Sequence, residues 1–334
     1  MHPKRFSLRA LVLLAGLTLV SASAVAQTFP SKQVNLMVPY PAGGLSDVIA
    51  RIVEKPLTRA LGQQVIVENL GGVSGALAAQ KVLAAPADGH LVFQGSPNEL
   101  ILAPLANAAV KFKSEDFRLV QMIGVSPITI HARKGLPANN VDELVALARK
   151  SAAAGKPLTY GSVGYGSFYH VLGAHFAQTI GAEMVHVPYK GAAPLLQDMG
   201  GDLVDISVLV TGLQSAGLAD QGRLKILGTL APAGKVEVPF LKAYPSINDS
   251  KSVKGFAYNI WTGYLVRKDT PEPVVQALNK ALTTVLGDPV VRAELEKQGL
   301  MVATPLSVAD AAREYETLTT SFRAIAKAIK LEAQ

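Results

Sequence analysis

The sequence contains no cysteine. That excludes a thiolate nucleophile, a cysteine-based metal site and any disulfide. A chain of this size can rest on its apolar core alone. Charged residues are sparse, at 17%, while apolar residues make up 49%, a balance that argues against disorder. After the N-terminal segment no apolar run reaches the roughly 18 residues a membrane helix needs. There is no internal repeat and no low-complexity linker. Tryptophan occurs once, at Trp261, which suits a core between domains or the wall of a cleft.

The N-terminus carries what a secretory signal peptide needs. Lys4, Arg5 and Arg9 form a positive region, an apolar run covers 10–20, and Ala24 and Ala26 occupy the small-residue positions of an A-x-A cleavage site. Residues 1–26 are therefore expected to be removed, leaving a mature chain that starts near Gln27. The apolar run is too short to span a bilayer, and with no cysteine after it a lipid anchor is excluded. About 308 residues remain, enough for two domains. The net charge of +7 falls to about +4 without the three basic residues of the signal. That mild excess suits an anionic ligand and is too scattered for nucleic acid, which calls for a clustered basic face.

Short β-branched runs alternate with longer periodic ones. Residues 34–38, 65–68 and 91–94 read as strands, 46–61 and 75–85 as helices, with Ser46 or Asp47 as a cap and Pro56 as a kink. The rhythm resumes with strands over 158–160, 184–187 and 204–209 and helices over 167–180 and 194–199. Then come a strand over 262–266 and three helices, the first with Thr270 as cap and Pro271 at its first position. The second spans 289–299 and the third 307–329. The pattern predicts α/β units with parallel sheets and covering helices. Two such units without a flexible linker imply domains joined by crossing strands, near 123–132 and 259–267. Residues 27–125 form the first part of domain I, 126–258 form domain II, and 259–334 return to complete domain I.

Three glycine-rich loops each lead from a strand towards a helix. They are Pro39-Tyr40-Pro41-Ala42-Gly43-Gly44-Leu45-Ser46-Asp47, Glu68-Asn69-Leu70-Gly71-Gly72-Val73-Ser74-Gly75-Ala76, and Tyr160-Gly161-Ser162-Val163-Gly164-Tyr165-Gly166-Ser167, which runs on to His170. The first N–H groups of a helix have no intrahelical partner, and the helix dipole adds positive charge there. Glycine lets a ligand approach the backbone, so such a loop holds an anion without Arg or Lys. One glycine-rich turn is ordinary, whereas three that can face one cleft make a case for a site. None fits G-x-G-x-x-G, G-x-x-x-x-G-K-[ST] or G-x-S-x-G, which points to a carboxylate rather than a dinucleotide.

These residues carry a resemblance. Pro41-Ala42-Gly43-Gly44 with Asp47 and Ala50-Arg51, Val67-Glu68-Asn69 with Gly71-Gly72 and Ser74-Gly75, and Ala87-Asp88-Gly89 are followed by Tyr160-Gly161-Ser162 with His170. Then come His186-Val187-Pro188-Tyr189-Lys190-Gly191, Gly201-Asp202-Leu203-Val204-Asp205 and Trp261-Thr262-Gly263. In this order they cover essentially the whole mature chain, which resembles the Bug family, the substrate-binding proteins of tripartite tricarboxylate transporters. The resemblance implies a two-lobed (type II) periplasmic-binding-protein fold that closes on a small carboxylate held by backbone amides and ordered waters. It implies a periplasmic monomer, without cofactor or enzymatic activity, that delivers its ligand to integral-membrane permease subunits. By position, Ala42, Gly43, Gly44, Ser74 and Ala76 serve the first lobe, and Ser162, Gly164, Ser167 and His170 face them. Asp205 orients a water or meets a polar ligand group, and Asp47 organises its loop. Between Ala231 and Lys254 the chain departs from the family pattern of an Arg and a Pro-Thr-x-x-Glu element.

Other readings compete at single residues. Glu99, in Ser96-Pro97-Asn98-Glu99, follows a strand end. Glutamate is mostly exposed, so a solvated loop charge is expected; a Glu99 that reached the cleft would favour a ligand with a cationic or donor group. His170 and Ser167 could form a hydrolase pair, as could Ser74 with a base from elsewhere, but no partner pattern supplies an orienting carboxylate. His175 and His186 are read as structural, and no histidine spacing suits a metal. Lys190 is assigned to the cleft rim or the hinge. A sensor built on the same clamshell has the same sequence signature, and the sequence does not choose among citrate-like acids, dicarboxylates, acidic amino acids and aromatic carboxylates.

Overall fold

The computed structural model describes residues 29–328 and 331. The expected signal peptide, and residue 329 of the predicted last helix, lie outside them.

The first βαβαβ unit forms as the pattern predicts. Strand β1 (Val34–Val38) leads to helix α1 (Leu45–Leu61), then β2 (Val65–Asn69), α2 (Ala76–Ala84) and β3 (Leu91–Gly95). Helix α1 buries Ile49, Ala50, Val53 and Leu57 on one face and ends at Gly62, whose φ of 67° closes the helix. It runs through Pro56 as one helix. After a short helix α3 (Ala103–Ala106) comes β4 (Phe117–Arg133), longer than any sequence run suggested. The second unit contains α4 (Val141–Ala153), β5 (Leu158–Ser162), α5 (Phe168–Ile180), β6 (Met184–Pro188), α6 (Ala192–Gly200), β7 (Ile206–Val210), α7 (Leu213–Asp220) and β8 (Leu224–Thr229). The chain returns through β9 (Asn259–Arg267) to α8 (Glu272–Gly287), α9 (Pro289–Lys297), β10 (Met301–Val302) and α10 (Val308–Ala328).

The strands run in the order β2-β1-β3-β9-β4-β7-β5-β6, with β8 and β10 also on β4. Pairs β1/β2, β1/β3, β5/β6 and β5/β7 are parallel. The expectation of parallel sheets fails in the middle, where β9 runs antiparallel to β3 and β4, and β7 and β8 run antiparallel to β4. The cause is β4 itself. Residues 117–127 pair with β9, and residues 128–132 pair with β7, so one strand serves both lobes. Helix α8 also starts one residue later than predicted, with Pro271 rather than Thr270 at the cap.

Helix α10 covers the joint. It buries Ala311, Tyr315, Thr319, Phe322 and Ala326, a single stripe. Tyr315 meets Trp261 edge-on at 6.0 Å, and Phe322 meets Phe168 of α5 at 5.1 Å. Trp261 is thus a core residue, 2% exposed, and not a cleft wall.

Candidate functional site

Two strands have later, parallel strands on both sides. β1 lies between β2 and β3, and β5 lies between β6 and β7. Chain order reverses at each, which opens a crevice at the strand's carboxyl end, where ligands bind in open α/β sheets. The loops that leave these two ends are the glycine-rich segments 39–44 and 163–167.

Helix α1 begins at Leu45 with Gly44 as its cap residue and no side-chain cap. Its first N–H groups therefore keep their charge-attracting character. Asp47 turns back instead, its Oδ2 accepting from Gly43 N at 2.9 Å and from Arg51 Nε at 3.0 Å. Burial pushes the Asp47 carboxyl up, but the bonds from Arg51, Gly43 and Asn69 outweigh this and hold it below the usual range. Asp47 organises the loop, as its position implied.

The two lobes touch at this point. Ser74 Oγ donates to Tyr165 O at 2.6 Å, and Phe168 N donates to Asn98 Oδ1 at 2.7 Å. Gly164, with φ at 137°, lies so close to the other lobe that a Cβ there would come within 2.6 Å of Ser74 Oγ. At Gly191, beside the exposed Lys190, a Cβ would meet Pro41 at 2.6 Å. The Tyr-Lys-Gly segment is therefore a rim contact. Between the lobes remains a cavity of about 30 Å³, lined by Tyr40, Ser46, Gln94, Glu99, Ser126 and Tyr169 among others. That is room for about two waters, so a ligand enters only when the lobes part. A larger, mostly apolar cavity of about 530 Å³ lies between segment 229–241, β9 and α10. It contains none of the predicted site residues.

The predicted residues meet, but several donors are already engaged. Gly43 N–H is held by Asp47, Ala76 N–H by Val73 O, and Gly164 N–H by Ser162 Oγ at 3.2 Å. Ser167 caps α5 by accepting from His170 N at 3.2 Å, and His170 Nδ1 accepts from Gly166 N at 3.1 Å. Ala42 is exposed, and Gly44 caps α1. The expectation that all these amides face a ligand is therefore corrected. Tight glycine turns close on themselves first, and α1's first turn is left open. Asp205 is also corrected. Its oxygens take Arg133 Nε at 2.8 Å and Thr159 N at 2.8 Å, at the amino ends of β5 and β7, the far side of the sheet from the crevice.

The Ser–His contact that the structure contains is one the sequence missed. His186 Nε2 lies 2.7 Å from Ser162 Oγ, in a ring stack with His170 at 4.0 Å and Tyr160 at 5.0 Å. Burial lowers His170 to about 4, and burial plus the neighbouring His170 lowers His186 to about 3. Ser162 Oγ also donates to Gly164 O at 3.0 Å. Among the described residues, the histidine paired with a carboxylate is His90 with Asp88. The histidines thus pack and brace the third loop, and a hydrolase pair lacks its orienting acid.

Glu99 overturns the expected solvated charge. It is 0% exposed, in a wide helical turn, Asn98–Leu102. Its carboxylate accepts from Ser96 N, from Ser96 Oγ at 3.1 Å and from Tyr40 Oη at 3.0 Å. Burial raises its pKa to about 8 against the lowering effect of these donors. The spacing Ser96-x-x-Glu99 matches a capping-box pattern, the available sequence signal, and one half of it forms, with Ser96 N donating to the Glu99 carboxylate. Asn98, Tyr40 and Gln94 gave no such signal.

The model of the tripartite tricarboxylate transporter family receptor, TctC, matches residues 49–329. The chain belongs to the TctC family. TctC proteins are periplasmic solute-binding proteins, and the two-lobed fold here is theirs. The chain is 34% identical over 281 residues to a UPF0065 protein of Agrobacterium vitis, from the TAR-I ttuE-ttuC' intergenic region, covering 84% of this chain and 79% of that one. It superposes on the periplasmic binding protein BugD with a TM-score of 0.82 at 28% identity, covering 92% of this chain and all of BugD, at 100%. On Rpa4515 of R. palustris, solved with adipate, the TM-score is 0.83 at 27% identity, covering 92% and 100%.

Proposed function

We propose that this chain captures a small carboxylate in the interlobe crevice and delivers it to integral-membrane permease subunits of a tripartite tricarboxylate-type transporter. The observation that carries the reading is the uncapped start of α1 at the β1 switch point, with Tyr169 of α5 sharing the interlobe cavity with Leu45 and Ser46. Adipate in the related Rpa4515 supports the ligand class. Lobe boundaries at 125/126 and 258/259 accord with the partner change in β4 after Pro127 and with the start of β9 at Asn259.

Opening exposes Ser74 Oγ, Asn98 Oδ1 and the first N–H groups of α1 and α5. A carboxylate that accepts from Ser74 Oγ and these N–H groups favours the closed form by its extra affinity for that state. A micromolar ligand needs about 8 kcal/mol, within reach of a few charge-assisted hydrogen bonds of about 1.5–3 kcal/mol each after the cost of ordering. The test is calorimetry on residues 27–334 with a carboxylate panel and the corresponding primary amides. Carboxylates should bind with micromolar affinity while their amides give no heat. Equal binding of an acid and its amide would remove the anion site.

A further inference from the structure

The cavity of about 530 Å³ beside the strand crossing has walls from both lobes and from the joint between them. Leu230, Val238 and Leu241 stand on the second lobe's side, and Phe322 and Ile325 on helix α10. Ile128 belongs to β4, at the point where that strand changes partners. The hydroxyls that reach it are engaged elsewhere. Thr229 Oγ1 donates to Pro245 O at 3.5 Å, and Ser321 Oγ to Thr317 O at 3.0 Å. Lys235 and Glu237 are the charged residues around it, both exposed, and their signs cancel. Such a cavity offers apolar surface and shape, and no net charge. Its volume suits a drug-sized molecule. Its place in the fold adds a second property. In the β4/β9 ladder Ser126 pairs with Ile260, and Pro127 with Asn259. Successive residues of a strand face opposite sides. Ser126 and Ile260 line the small interlobe cavity, whereas Pro127 and Asn259 line the large one. The two cavities therefore lie back to back across the strands that join the lobes.

From this juxtaposition we infer that the large cavity is a second ligand site, for an uncharged apolar molecule, and that its occupant holds the crevice closed. A rotation about the crossing strands that parts the lobes at the crevice presses segment 229–241 towards α10 on the other side. A molecule lodged there wedges the back of the joint. It binds the closed form better than the open one and shifts the population by that difference. Nothing in this depends on what the crevice itself binds.

Fluorescence titration of residues 27–334 with N-phenyl-1-naphthylamine, an uncharged apolar probe, tests both parts. The probe should saturate a single site at micromolar concentration. Val236→Trp and Ile325→Trp fill the cavity from two of its walls. Each should weaken the probe by about ten-fold or more, and thermal melts report whether each variant folds. Absence of saturable binding, or binding that a folded filler variant leaves unchanged, overturns the site. Gly191→Trp tests the wedge. Gly191 is extended, with φ at 171°, so a side chain there strains no backbone, but its Cβ would meet Pro41 of the other lobe at 2.6 Å. This variant cannot close, and its affinity for the probe should fall roughly five-fold or more, the low end of ordinary coupling between sites. Equal affinity in the wild type and in Gly191→Trp would mean that the cavity keeps its shape as the lobes part, and the control of closure is overturned.

Discussion

His131 sits in β4 with 0% exposure, its ring 3.2 Å from the hydroxyl of Thr211. Burial lowers its pKa to about 4. The folded chain therefore keeps the ring neutral where the unfolded chain, near 6.5, protonates it. This contribution to stability is complete above pH 6.5 and is lost as the pH falls towards 4. The destabilisation caused by His131→Gln in urea unfolding should shrink by about 2 kcal/mol between pH 7 and pH 5. An unchanged penalty would mean the ring takes up its proton equally in the folded and unfolded chain. Glu99 works with the opposite sign. Its raised pKa makes the unliganded protein gain stability from this group as the pH falls from about 8 towards 4.5. The sequence offered the Ser96-x-x-Glu99 pattern but not the burial, because Tyr40, 59 residues away, and α5 of the other lobe close over that turn.

Capping is where helices were most legible and also where one was misread. Ser167 was readable as the start of α5, and its hydroxyl holds His170 N. Ser167→Ala should cost about 1 kcal/mol in unfolding free energy, with the ring stack behind it preserved in near-ultraviolet dichroism. At α1 the polar residues Ser46 and Asp47 suggested the cap, yet the helix starts earlier because Asp47 reaches back to Gly43. Gly164 carries a sharper consequence. Gly164→Ala strains its own loop, since φ there is 137°, and places a methyl group against Ser74. Thermal stability should fall modestly, and ligand affinity should drop at least ten-fold because closure is blocked. The antiparallel pairing of β4 with β9 was not legible. Its register shifts twice, between Leu119 and Gln121 and between Met122 and Gly124, and no local hydrophobic pattern encodes a partner so distant in sequence.

The two-lobed architecture was legible from the repeated βαβ rhythm and from the order of the glycine-rich loops. The state of the lobes was not, since it depends on a few contacts between them. Asn98 is the clearest, accepting from Phe168 N and donating to Tyr40 Oη. Asn98→Ala leaves that N–H unpaired on closure, a loss of about 1 kcal/mol or more. The unliganded population should then move towards the open form by roughly five- to ten-fold, seen as a larger radius of gyration in solution scattering and reversed by ligand. Strand β9 has a consequence for how the molecule is made. It lies between β3 and β4, inside the first lobe's sheet, but it begins only at Asn259 of 334 residues. Until that point has emerged during synthesis or translocation, two raw sheet edges wait for their neighbour, each open to adhesion with another nascent chain. A chain ended at residue 258 should accumulate as aggregate, and a separately supplied peptide covering 259–334 should rescue its solubility.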